Sequence, residues 1–99
     1  MENEPLSQAE NTYHFLLFVS GMSIRSVHAI ENLRALCGTY LNGNYKLEII
    51  DIGRHKEQAR KHQIVAVPTL IKTRPNGRRI IIGDLSDTQK VVDLLGFNE

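Results

Sequence analysis

The 99-residue chain has one cysteine, Cys37, no tryptophan, and no strongly apolar run longer than Phe15 to Val19. A lone cysteine cannot close an intrachain disulfide or build a cysteine zinc site, so stability has to come from a hydrophobic core. The run from Phe15 to Val19 is far too short to cross a bilayer. The opening residues also lack the charged-then-apolar order of a secretory signal. A cytoplasmic protein that does not bind membranes is therefore expected. Charge of one sign is missing too: twelve Lys and Arg against eleven Asp and Glu leave a net +1, which gives no general pull on nucleic acid. What is present is ordinary for a folded domain, with 41% hydrophobic and 23% charged residues. A chain this long buries roughly two-thirds of its unfolded surface as one unit.

Residues 1–12 are polar, include Pro5 and show no apolar period, so they read as a flexible tail before a domain spanning 13–99. Tyr13 to Val19 is nearly continuous in apolarity, as in a strand covered on both faces. After Ser20-Gly21, apolar residues recur at Ile24, Val27, Ile30, Leu33, Leu36 and Tyr40, the spacing of an amphipathic helix that Asn42-Gly43 stops. Tyr45 to Ile52 is a second strand, parallel to the first because a helix crosses between them. Arg54 to Gln63 is polar and reads either as a short exposed helix or as a loop. A third strand covers Leu70 to Arg74 and a fourth Arg78 to Ile82, joined at Pro75-Asn76-Gly77 as a tight hairpin. Ser86 and Gln89 have the form of a capping box for a last helix that turns Val91, Val92, Leu94 and Leu95 inward. The order β-α-β-(α)-β-β-α, an α/β mixed four-stranded sheet with helices packed on it, is that of the thioredoxin architecture.

In that architecture chemistry sits where the first strand turns into the first helix, because a helix N-terminus stabilises a thiolate. Here the turn reads Ser20-Gly21-Met22-Ser23-Ile24-Arg25-Ser26. Ser23 and Ser26 keep the spacing of a Cys-x-x-Cys pair as vestigial redox-turn positions, but hydroxyls cannot cycle between thiol and disulfide. Ser23 is then either an N-cap or a hydroxyl offered to a bound thiol or carboxylate. Cys37 lies on the apolar stripe beside Leu33 and Leu36, where it reads as core filler. His14, His28, His55 and His62 are dispersed, and His55, Glu57 and His62 make a poor ligand set, so no metal and no cofactor are expected. Pro68, in Val67-Pro68-Thr69, opens the third strand and is the candidate for a cis-proline, the alternative being an ordinary trans bond. Basic residues gather at Arg54, Lys56, Arg60 and Lys61, and again at Lys72, Arg74, Arg78 and Arg79. The second group is either a contact for an acidic partner or a charged edge that deters strand pairing. No aromatic side chain is interleaved for base stacking, which argues against nucleic acid.

Phe18-Val19-Ser20-Gly21, Ser26-Val27, Ile50-Asp51-Ile52, Ala66-Val67-Pro68-Thr69-Leu70 and Arg78-Arg79-Ile80-Ile81-Ile82-Gly83-Asp84-Leu85-Ser86 together resemble the KaiB family in order and spacing, from Tyr13 to about Leu95. The resemblance implies a thioredoxin-like, non-catalytic adaptor that binds a KaiC-like ATPase, in a circadian oscillator or in stress-response signalling, with Lys72, Arg78 and Arg79 at matching basic positions. Where clock-type members are similar to one another in being basic, this chain has His28 and Gln63. Such members also have a second, tetrameric arrangement with a rebuilt C-terminal half, so dimers or tetramers are among the implied states. Asn76-Gly77, the Ser86/Gln89 pair and Leu94, where those members tend to have Gly, favour the thioredoxin-like form; the last strengthens a helix by about 1 kcal/mol. Two alternatives stand beside the adaptor: a weak thiol oxidoreductase or glutathione-binding protein, and a self-assembling stress protein without an ATPase partner.

Overall fold

Strand β1 (Tyr13–Val19) lies inside a four-stranded sheet ordered β2-β1-β3-β4, parallel to β2 (Tyr45–Asp51) and antiparallel to β3 (Thr69–Arg74). β4 (Arg79–Ile82) closes the other side, antiparallel to β3. Helices α1 (Ile24–Tyr40), α2 (Lys56–Lys61) and α3 (Thr88–Leu95) complete the expected element order. The computed structural model describes residues 12–97. Of the segment read as a tail, residues 1–11 lie outside the described residues, while the Thr12 hydroxyl donates to Asn44 Oδ1 at 3.2 Å.

Because side chains alternate along a strand, β1 divides its apolar residues between two cores. Phe15, Leu17 and Val19 join Ala29, Leu33, Leu36 and Cys37 of α1, Leu70, Ile81, and Val91, Val92 and Leu95 of α3 in the main one. Phe18 turns the other way, onto Ile50 and Ile71, with Leu16, Ile52, Ile64 and Val67 packed around them. This explains why the first strand reads as continuously apolar: both of its faces are covered.

Local chemistry sets the element ends. α1 stops where Asn42 and Gly43 take positive φ (50° and 84°), a conformation both residue types tolerate. The polar stretch after β2 resolves as the short helix α2, entered through an Asx turn in which the Gly53 amide donates to Asp51 Oδ1 (2.9 Å). None of its residues is buried, which is why the sequence left helix and loop open. Glu57 at its start and Arg60 and Lys61 at its end complement the helix dipole.

Two expectations need correction. The β3–β4 ladder ends at Lys72 opposite Arg79 although β3 runs on to Arg74, so the connection spans residues 75–78 rather than 75–77, and β4 starts at Arg79 rather than Arg78. Asn76 (φ 61°) and Gly77 (φ 89°) still supply the left-handed residues at its tip. The cap of α3 is Asp87, whose carboxylate accepts from the Lys90 amide at 3.3 Å, and not the Ser86/Gln89 box. The Ser86 amide is taken by Asp84 Oδ1 (3.1 Å), and the Gln89 side chain donates forward to Asp93 (2.9 Å). Val91, Val92 and Leu95 are buried as expected, Leu94 only partly, and Gly96 ends the helix at φ 75°.

Candidate functional site

The turn between β1 and α1 places Ser23 at the N-cap, where its Oγ accepts from the Ser26 amide at 3.2 Å. The Ser23 hydroxyl donates to Ser26 Oγ at 2.8 Å, and Ser26 Oγ also accepts from the Ser20 amide at 3.1 Å. Ser26 is fully buried while Ser23 is exposed. The two hydroxyls thus hold the helix start together through a closed set of hydrogen bonds. The Val67–Pro68 peptide bond is cis, as is Arg74–Pro75.

Cys37 is fully buried on α1, and burial pushes its thiol up to about 12, against a smaller opposing pull from the Arg34 charge. A thiol that keeps its proton is a poor nucleophile. The shift also fixes a pH dependence. An unfolded cysteine ionises near about 8.5, so above that pH the unfolded chain releases a proton that the folded chain retains. The stability linked to Cys37 is therefore fully present below about pH 8.5 and is lost as pH rises toward 12. Urea unfolding between about pH 8 and 10.5 is expected to show stability falling with pH, with a shallower fall in Cys37→Ala. Equal slopes in the two proteins would contradict the assignment.

His14 sits on β1 opposite Lys46 and Arg74. Burial, then the charges of Arg74 and Lys46, lower its pKa, so near neutral pH it is a neutral ring between two cations. The His62 ring packs 5.5 Å from that of Phe18. Among the described residues, no group of three or more His, Cys, Asp or Glu side chains could hold a metal ion. No described helix is long and apolar enough to cross a membrane.

The three basic residues singled out from the sequence separate into two environments. Arg78 and Arg79 are exposed at the start of β4. Lys72 is only 3% exposed: its ammonium donates to the Pro75 carbonyl and lies 5.9 Å from the centroid of the Tyr13 ring. Lys72 thus fastens the 75–78 connection through Pro75, at the end of the ladder where it stands opposite Arg79. Strand parity carried the signal, since Lys72 shares a face with Leu70 two residues earlier.

Beyond β4 the chain turns through Gly83 and Leu85, both at positive φ (124° and 66°). The Asp84 carbonyl accepts from the Asn32 side chain at 2.8 Å. Hydrogen bonds from the Ser86 hydroxyl and amide lower the Asp84 pKa, with smaller help from the charges of Arg25 and His28. His28 therefore has an acidic neighbour in Asp84. A further feature escaped the sequence reading. Tyr40, Phe97, Tyr13, Phe15 and Tyr45 form a continuous chain of rings with successive centroids 5.3, 5.2, 5.7 and 6.4 Å apart. The Tyr13 hydroxyl donates to the Leu95 carbonyl at 3.0 Å.

Comparison with known proteins agrees with this geometry. Residues 16–97 match the KaiB domain. "Circadian clock protein KaiB3" of Synechocystis is 42% identical over 82 residues, covering 83% of this chain and 78% of that protein. "Circadian clock oscillator protein KaiB" of Prochlorococcus marinus is 40% identical over 94 residues, covering 92% and 89%. Among solved structures, the N-terminal domain of SasA from Synechococcus elongatus superposes with a TM-score of 0.74 at 19% identity, covering 100% of this chain and 94% of that one. Chloroplastic thioredoxin z gives 0.72 at 15% identity, covering 90% and 80%. At such identities the two structures establish a shared thioredoxin-like fold.

Proposed function

Because the chain belongs to the KaiB family, we propose that it is a non-catalytic adaptor that binds a KaiC-like ATPase, in circadian timing or in stress-response signalling. The observation that carries this reading is the identity of about 40%, over more than four-fifths of the chain, to proteins named as circadian clock KaiB. The residue chemistry supports it. Ser23 and Ser26 replace a dithiol with hydroxyls bonded to each other, and Cys37 is buried and protonated. A thioredoxin-like frame without reactive sulfur is left with its surface as the means of action.

Arg78 and Arg79 are the proposed contacts, exposed at one corner of the sheet and suited to an acidic patch on the ATPase. Lys72 serves this surface indirectly, by holding Pro75. Co-purification with a KaiC-like ATPase, with and without ATP, is the direct test. The unaltered chain binds, and a double Arg78→Glu, Arg79→Glu variant binds at least roughly tenfold more weakly, since reversing two contacting charges removes attraction and adds repulsion. Lys72→Met is expected to lower stability by about 1–3 kcal/mol, as the Pro75 carbonyl loses its donor, with little further effect on affinity once the protein is folded. No binding by the unaltered chain under either condition would overturn the adaptor reading and favour self-assembly without an ATPase.

A further inference from the structure

His14 has a cation opposite it on each neighbouring strand: Lys46 in the parallel register with β2, and Arg74 in the antiparallel register with β3. Residues paired in register project from the same face of a sheet, and strand parity says which face this is. His14 stands at even spacing before Phe18 and Lys46 at even spacing before Ile50, both members of the second core, so the two side chains leave the sheet on that side. Arg74 joins them through an irregularity. Regular alternation from Ile71, another member of that core, would put Thr73 on this face and turn Arg74 toward the main core. The register shift between His14 and Phe15 makes Thr73 an extra residue and sets Arg74 against His14, the re-aiming of a side chain that bulges produce. Neighbouring strands lie about 4.8 Å apart, so the long side chains of Lys46 and Arg74 can bend over the shorter ring between them. Lys46 and Arg74 are exposed, and His14 is half-buried. Both charges that act on the ring are positive, and no carboxylate among the described residues is added to them. Glu48, the next residue along this face of β2, lies opposite Leu16 instead. Three strands thus bring basic groups to one spot without an acid to balance them.

We propose that His14, Lys46 and Arg74 form a binding site for a phosphoryl-type oxyanion, taken either as the free ion or as a phosphate ester. The donor inventory sets the class. An ammonium, a guanidinium fork and a ring N–H together offer more hydrogen bonds and more charge than a carboxylate, with two oxygens and one charge, can match. A tetrahedral dianion has an oxygen for each donor and a negative charge for each of the two cations. Histidine is the side chain that changes charge between about pH 5 and 8, and the charged groups facing this one from β2 and β3 are Lys46, Glu48 and Arg74. Protonation of His14 adds a third positive donor, so the site tightens as pH falls.

Sulfate is the first probe, since it stays doubly charged across this range whereas phosphate esters change charge near about pH 6. In NMR titrations of the full chain near pH 6, at fixed ionic strength and with chloride as the reference, sulfate is expected to shift the His14 ring and the Lys46 and Arg74 amides with a Kd of roughly 1–10 mM. Affinity falls about fivefold or more on going to about pH 8, and His14 titrates at a higher pH in sulfate than in chloride. Arg74→Gln and Lys46→Gln, both at exposed positions, each weaken binding roughly fivefold or more. Arg60→Gln removes an equal exposed charge from α2, which follows the far end of β2, and changes binding less than about twofold because salt screens that distance. Inorganic phosphate and glycerol 3-phosphate then identify the source. An ester that binds within roughly threefold of phosphate marks a site open to esters, and a weaker one marks a site for the free ion. If all three anions act as chloride does, or if Arg60→Gln loses as much affinity as Arg74→Gln, the site does not exist. The chain is used alone, so neither result bears on the adaptor reading.

Discussion

Phe15→Ala is expected to cost about 4 kcal/mol of folding stability, within the range for emptying a buried aromatic site. Phe15 is 2% exposed on β1 and is the fourth ring in the chain from Tyr40 to Tyr45. Its removal deletes apolar burial and two ring contacts at once, and strands β1 and β2 together with α1 surround the resulting space. Such walls collapse poorly, which puts the cost in the upper part of the range. For a domain of this size, each kcal/mol moves the melting temperature by about 4–8 °C, so a fall of roughly 15–30 °C should appear by calorimetry. Phe15→Leu keeps most of the volume and should cost less than about 1.5 kcal/mol. A loss below about 1 kcal/mol in the alanine variant would mean that the rings are not a support of the fold.

The second large effect is a gain. A double Ser23→Cys, Ser26→Cys variant is expected to form an intramolecular disulfide under mild oxidation, where the unaltered chain forms none. The two hydroxyl oxygens are already 2.8 Å apart at the start of α1, so the side chains point at each other. The replacement at position 23, exposed at the N-terminus of α1, is the one whose thiolate the helix stabilises and whose sulfur attacks. The replacement at position 26 is the shielded, resolving member. Thiol titration of the native protein should find two reactive groups after reduction and none after oxidation, with Cys37 silent in both. The same variant should reduce insulin-type disulfides in the presence of an added dithiol, with the single variants inactive. If the oxidised variant retains two free thiols, the turn lacks the geometry assigned to it.

Both effects rest on parts of the fold that differ in how openly the sequence shows them. α1 is plain because its apolar period runs for several turns between a good cap at Ser23 and a left-handed stop at Asn42-Gly43. β1 is plain because both faces are buried. α2 is not, since it buries nothing and leaves no periodic trace. The cap of α3 was read one residue early: Ser86 and Gln89 have the right spacing, but Asp84 already holds the Ser86 amide and Asp87, an equally good capping group, stands next in line. Of the candidate site, the serine turn and the paired arginines were visible as residue types. That Lys72 is buried was concealed by its charge, which outweighed the parity that places it beside Leu70. The ring chain was beyond reach, because it joins Tyr13 to Phe97 across almost the whole length of the domain and no local pattern links them.

That ring chain has an optical consequence. The protein has no tryptophan, so tyrosine dominates its ultraviolet emission, and all three tyrosines belong to the chain of rings. One of them, Tyr13, is hydrogen-bonded to the last residue of α3 and lies edge-on to Phe97. The light the protein gives off therefore reports, with no label attached, whether the C-terminal helix is seated against the first strand.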